Sequence, residues 1–122
     1  MNEKKYASRS GLKLEEAIIN FKVEVKDKIC LDVGAAVGGF TDCLLTFGAK
    51  KVYALEVGKN ILEWRLRKDE RVVVMEKTNI LYVEDLPEKM DLITIDVSFT
   101  PLKMVLPIIA NFLKEDGTEV KP

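Results

Sequence analysis

A doubly wound α/β domain with a mostly parallel sheet is the fold class this sequence predicts, and three observations predict it. Short apolar runs alternate with segments of helical periodicity. The runs are apolar almost throughout, as strands covered on two sides must be. Three of them end in an acid, at Asp32, Glu56 and Asp96. Right-handed crossovers then place helices on both faces, and a ligand sits beyond the carboxyl ends of the strands.

The elements follow in order. Residues 1–10 are polar and basic and read as an arm or linker, with the domain proper in 11–122. Lys4, Lys5, Arg9 and Lys13, with no acid between positions 4 and 13, either track phosphates or belong to a solvated tail. From Leu12 onward, apolar residues at Leu14, Ala17, Ile18 and Phe21 give one buried helical stripe, with Ser10 as N-cap. Lys13 lies about 100° from Leu14 around the helix, at the stripe's edge. Residues 28–34 form a strand, 35–39 a loop of small residues, and 40–47 a helix closed by Gly48. A second strand at 51–58, a helix at 61–67, a third strand at 71–75 and a fourth at 91–96 come next. Trp64 reads as a cover for the sheet edge. Residues 102–113 are helical, with Pro107 marking a kink or boundary. Asp116-Gly117 reads as a turn, which leaves 118–120 as a stub of a fifth strand.

Composition narrows the function. The 122 residues make one domain, 48% hydrophobic and 32% charged. Nineteen basic residues against 20 acidic give a net charge of −1, which excludes a strongly basic nucleic-acid binder on global charge but leaves local patches. There is no His, hence no Ser-His-Asp triad, no Cys-His pair and no His-ligated metal. No metal site is expected. Cys30 and Cys43 read as small buried hydrophobes. No apolar run reaches the roughly 18–20 residues of a membrane span, and the polar N-terminus lacks a signal-peptide core. These features point to the cytoplasm and to no membrane partner.

The loop Gly34-Ala35-Ala36-Val37-Gly38-Gly39 follows the first strand and opens a helix, where free N–H groups and small residues let a ligand approach the backbone. Its spacing is not G-x-G-x-x-G, which argues against a nicotinamide oxidoreductase. Glu56, ending the second strand, is placed to accept bonds from both hydroxyls of a ribose. Loop and acid together point to an adenosine cofactor.

Leu31-Asp32-Val33-Gly34-Ala35 and Gly38-Gly39-Phe40-Thr41-Asp42-Cys43-Leu44 resemble the cofactor motif of S-adenosylmethionine-dependent RNA methyltransferases. Tyr6-Ala7-Ser8-Arg9-Ser10-Gly11-Leu12-Lys13-Leu14, Thr78-Asn79-Ile80 and Asp91 through Phe99 extend the resemblance to the TlyA, or haemolysin A, group of the FtsJ-like family. It implies a Rossmann-like methyltransferase sheet, C-terminally incomplete here, and S-adenosyl-L-methionine as cofactor. It implies ribosomal RNA as partner and transfer of a methyl group to a ribose 2′-hydroxyl. Asp32, Gly34, Gly38 and Phe40 would surround the methionine end, Glu56 would take the ribose, and Asn79 the adenine amine. Of the family's Lys-Asp-Lys-Glu catalytic set, the resemblance gives Lys13, Asp96 and Lys121, while the Glu lies beyond residue 122. A ribose hydroxyl is a poor nucleophile, so these groups would remove its proton and hold it in line with the methyl group. The resemblance also places an S4-type RNA-binding domain before the chain's start. With only a stub of a fifth strand, residues 91–96 would present an unpaired edge, which predicts homo-oligomers through that edge. The alternative reading is a shortened, non-catalytic remnant that binds the cofactor or a protein partner.

Overall fold

The computed structural model describes residues 5–97 and 100–121. Lys4 of the basic stretch, Ser98 and Phe99 of the fourth-strand motif, and Pro122 lie outside the described residues. The elements are α1 (Ser10–Asn20), β1 (Ile29–Val33), α2 (Gly39–Thr46), β2 (Lys51–Leu55), α3 (Trp64–Arg67), β3 (Val72–Met75), a 3₁₀ turn (Ile80–Tyr82), β4 (Met90–Ile95), α4 (Leu102–Ala110) and β5 (Leu113–Val120). The strands form one sheet in the order β3-β2-β1-β4-β5, with every pairing parallel. From β1 the chain builds outward first one way and then the other. The switch point lies between β1 and β4.

Period-two alternation splits the core into two layers. Cys30, Val52, Ala54 and Leu92 face α1 and α2, where they meet Leu14, Ile18 and Leu44. Leu31, Val33, Tyr53, Leu55, Ile93 and Ile95 face α4 and the 3₁₀ turn, where they meet Ile80, Val105 and Ile109. Both cysteines are free and buried, and burial pushes each thiol up to about 12, so neither serves as a nucleophile. Helix α2 ends as expected at Gly48, whose φ of +93° suits glycine. Gly48 N–H donates to the Leu45 carbonyl and Ala49 N–H to the Leu44 carbonyl, the paired bonds of a Schellman stop.

Several expectations need correction. The fifth strand is a full eight residues, not a stub. Met90 pairs with Leu113 and Leu92 with Thr118, so residues 114–117 bulge outward where a turn was expected. Asp91 replaces the missing apolar contacts: one carboxylate oxygen takes the Lys114 ammonium at 2.9 Å and the other the Ile29 N–H at 2.8 Å. The β4 edge is therefore covered, which removes the ground for association through it.

Within the segment read as an arm or linker, the described residues pack onto the domain. Tyr6 and Ala7 are buried, and Ala7 N–H donates to Asp42 at 2.8 Å. The same carboxylate takes a two-pronged contact from Arg65, at 2.8 and 3.2 Å. Asp42 thus ties the entry segment and α3 to the first turn of α2. Lys5 pairs with Glu15. Ser10 begins α1 without capping it; its hydroxyl meets that of Ser8 at 2.7 Å.

Helix α3 is a single turn, because the Glu63 N–H is drawn to the Val37 carbonyl and the Ile61 N–H to Glu76. Trp64 does not cover the sheet edge. It is 70% exposed, with the Lys68 ammonium 5.7 Å from its ring centre. Helix α4 stops at Ala110 because the Phe112 carbonyl accepts the Met90 N–H at 2.8 Å and starts the fifth strand. No helix among the described residues is long and apolar enough to cross a membrane.

Ile93 is fully buried in the middle of the sheet, whereas Val73 on the outer strand is 36% exposed. Ile93→Ala is expected to cost about 2–5 kcal/mol in denaturant titration. Val73→Ala should cost under about 1 kcal/mol.

Candidate active site

A cavity of about 240 Å³ opens at the carboxyl ends of the strands, on the switch point. Its walls come from the ends of β1 (Val33, Gly34), β2 (Leu55, Glu56) and β4 (Asp96, Val97), with Ile61, Asn79 and Ile80 on one flank. The glycine loop and two of the three terminal acids therefore meet at one cavity.

Glu56 is held from both sides. One carboxylate oxygen accepts the Ala36 N–H at 2.9 Å, the other the Gly58 N–H at 2.8 Å. Each oxygen keeps a lone pair for a ligand. The Glu56 main chain is fixed too: its N–H donates to the Met75 carbonyl and its carbonyl accepts from Thr78. Asp96 is solvent-exposed at the opposite wall, with its N–H on the Val33 carbonyl at 2.9 Å. Gly34 sits between them at φ +87°, and a Cβ there would come within 2.2 Å of the Asp96 carbonyl oxygen. Glycine is required by the closeness of β4 as well as by the turn.

Asp32 lies outside the cavity. It is fully buried on the α2 side of β1 and accepts hydroxyl bonds from Thr41 of α2 at 2.8 Å and Thr94 of β4 at 3.2 Å. Burial, with a smaller push from Asp96, raises its carboxyl to about 7, against the pull of the two threonines. Gly38 and Phe40 are also outside. Gly38, at φ +107°, leaves room for Leu62 and Leu66, and Phe40 packs against the α1–α2 layer. Lys13 is exposed on α1 and Lys121 exposed after β5; neither lines the cavity.

Asn79 lines it, but its side-chain oxygen already accepts the Leu81 N–H at 3.0 Å. Its free amide hydrogens suit a ring nitrogen of a base better than an amine, which is itself a donor. The sequence reading overlooked Thr41, Thr94 and the Ala36 N–H. A lone hydroxyl in the apolar run of β4 was the available sign for Thr94.

The FtsJ-like methyltransferase family model matches residues 6–120. The chain belongs to that family. It is 53% identical over 115 residues to YqxC, a candidate rRNA methyltransferase of Bacillus subtilis, covering 92% of this chain and 41% of that protein. It is 42% identical over 118 residues to the 16S/23S rRNA (cytidine-2′-O)-methyltransferase TlyA of Mycobacterium tuberculosis, covering 95% and 44%. The solved structure of a candidate hemolysin from Streptococcus thermophilus superposes with a TM-score of 0.93 at 45% identity, covering 98% of this chain and 45% of that one. The chain spans about half the length of the curated relatives it matches, or less. The family sheet is the Rossmann-like one expected.

The native Asp32 carboxyl keeps its proton up to about pH 7, while the unfolded one releases it near 3.8. The stability this contributes is complete below about pH 4 and is lost as pH rises through about 7. Asp32→Asn cannot titrate. The unfolding free energy of the wild type should therefore fall relative to Asp32→Asn across that window and run parallel above about pH 8. Chemical denaturation at several pH values checks this, and parallel curves throughout would refute the burial argument.

Proposed function

We propose that this chain binds S-adenosylmethionine in the switch-point cavity and serves methylation of a ribose 2′-hydroxyl in RNA, ribosomal RNA in particular. The observation that carries the cofactor reading is Glu56: a carboxylate at the cavity wall, fixed by two backbone donors, with lone pairs left for a ribose diol. The wall opposite carries a second carboxylate, Asp96, so the cavity suits a ligand with a positive centre. The family supports the RNA reading, as does the cytidine-2′-O activity in the names of the relatives.

When bound, the cofactor supplies a methyl group on a sulfonium. The chain's own residues hold and orient. Glu56 accepts the ribose hydroxyls, and Asn79 donates toward a ring nitrogen of the base. Asp96 receives and aligns the substrate hydroxyl. The resemblance gives proton removal to Lys13 and Lys121. Two placements support this. Val120 pairs with Thr94, so Lys121 continues β5 at the same sheet end as Asp96. Gly11, two residues before Lys13, is packed so closely on Gly39 of α2 that a Cβ would come within 2.7 Å of the Gly39 carbonyl oxygen. The second reading, a binder that transfers no methyl group, is favoured by a cavity lined without either lysine.

Calorimetric titration with S-adenosylmethionine should show saturable binding, weakened roughly 30-fold by Glu56→Ala, or about 2 kcal/mol for two charge-assisted bonds. Undiminished binding by the variant would sink the assignment. Methyl transfer to ribosomal RNA by this chain, lowered about 100-fold or more in Asp96→Asn and by more than its loss of cofactor affinity, would exclude the non-catalytic reading.

A further inference from the structure

The cavity's outer wall is a loop between β2 and α3, residues 56–63, which contributes Glu56, Val57 and Ile61. Leu62 anchors its far end in the core at 4% exposed, but the part nearest the cavity is open to solvent: Val57 is 63% exposed and Ile61 39%. Polar contacts with the neighbouring loop, residues 76–79, hold that part. Lys77 N–H donates to the Gly58 carbonyl and Thr78 N–H to the Glu56 carbonyl, each at 3.0 Å. One side chain completes the join. Glu76 accepts the Ile61 N–H on one carboxylate oxygen at 3.1 Å and the Arg67 guanidinium on the other. Arg67 also donates to Asn60 at 3.3 Å, a residue in the left-handed region at φ +57°. Glu76 and Arg67 are themselves mostly buried, at 13% and 19% exposed.

We infer that Arg67 and Glu76 are positioning residues for the nucleoside end of the cofactor cavity. This inference rests on the cofactor reading above. Neither side chain is part of the cavity lining, so their effect passes through the loop. The pair clamps Asn60 and Ile61 from both sides. Ile61 lies over Gly58, where a Cβ would come within 2.1 Å of the Ile61 side chain. Gly58 in turn gives its N–H to Glu56. The clamp thus sets both the apolar wall and the aim of the carboxylate that meets the ribose. A planar guanidinium reaches two acceptors at once, which an ammonium at the same site does not reproduce. A ligand lacking the nucleoside would not register the change.

The test is titration of the intact chain with S-adenosylhomocysteine, a stable probe with the same nucleoside. Glu76→Gln and Arg67→Lys are each expected to weaken binding 5- to 20-fold, with melting temperatures in the absence of ligand moved by only a few degrees. The double variant should lose little more than either single one, because both act through one contact. A purely structural pair would lower the melting temperature and leave the affinity of the folded molecules unchanged; that result overturns the inference. So does strictly additive loss. If one variant fails to fold, the other decides. Failure of the wild type itself to bind the probe would instead overturn the cofactor reading, and this inference with it.

Discussion

A carboxyl group without access to water sits at the middle of the sheet, and the arrangement around the cavity depends on it. Asp32 lies on the central strand and takes one hydroxyl from the helix above and one from the next strand. An unpartnered carboxyl at that depth would be prohibitively costly, so Thr41 and Thr94 must stay where they are. Their positions fix the start of α2 and the path of β4 relative to β1. The end of β4 bounds the cavity through Asp96 and Val97, and α2 follows the loop whose Ala36 lines it.

Given that frame, the site follows from strand order. The chain leaves β1 in one direction through β2 and β3 and returns on the other side as β4. Helices on opposite faces diverge there and leave a gap at the carboxyl ends. The tight passage of Gly34 past the Asp96 carbonyl sets the floor of that gap. Glu56 stands on one side and Asp96 on the other. No separate device is needed to bring the two acids together, because parallel pairing in register does so.

Much of this was legible in the sequence. The runs at β1, β2, β3 and β4 announce themselves because buried parallel strands are apolar on both faces. Gly34, Glu56 and Asp96 were legible because their chemistry is local: a tight turn and two strand ends. Asp32 also closes an apolar run, but it is level with Ala54 and Thr94, two residues short of Glu56 and Asp96, so it lies inside the sheet rather than at its edge, a register that composition does not reveal. β5 was hidden because Asp91 and Lys114 do by ion pairing what apolar residues do elsewhere. The anchoring of Tyr6 and Ala7 was hidden because its partner, Asp42, lies 35 residues further along the chain from Ala7. Asn79 lines the cavity, but its hydrogen-bonding polarity depends on a turn only the structure displays.

The two outer strands bear on how the folded chain behaves in a crowded solution. An open parallel edge offers a row of backbone groups to any other extended chain and is a route to aggregation. β5 carries Lys114, Glu115, Asp116 and Glu119 among its eight residues, and its bulge breaks the straight ladder that an incoming strand would need. β3 is apolar but only four residues long, with Asp69, Glu70 and Arg71 before it and Glu76 and Lys77 after it. Charges set at both ends of a short apolar strand act as gatekeepers against fibril-like stacking. The bulge that disguises β5 in the sequence thus also keeps that edge from templating another chain.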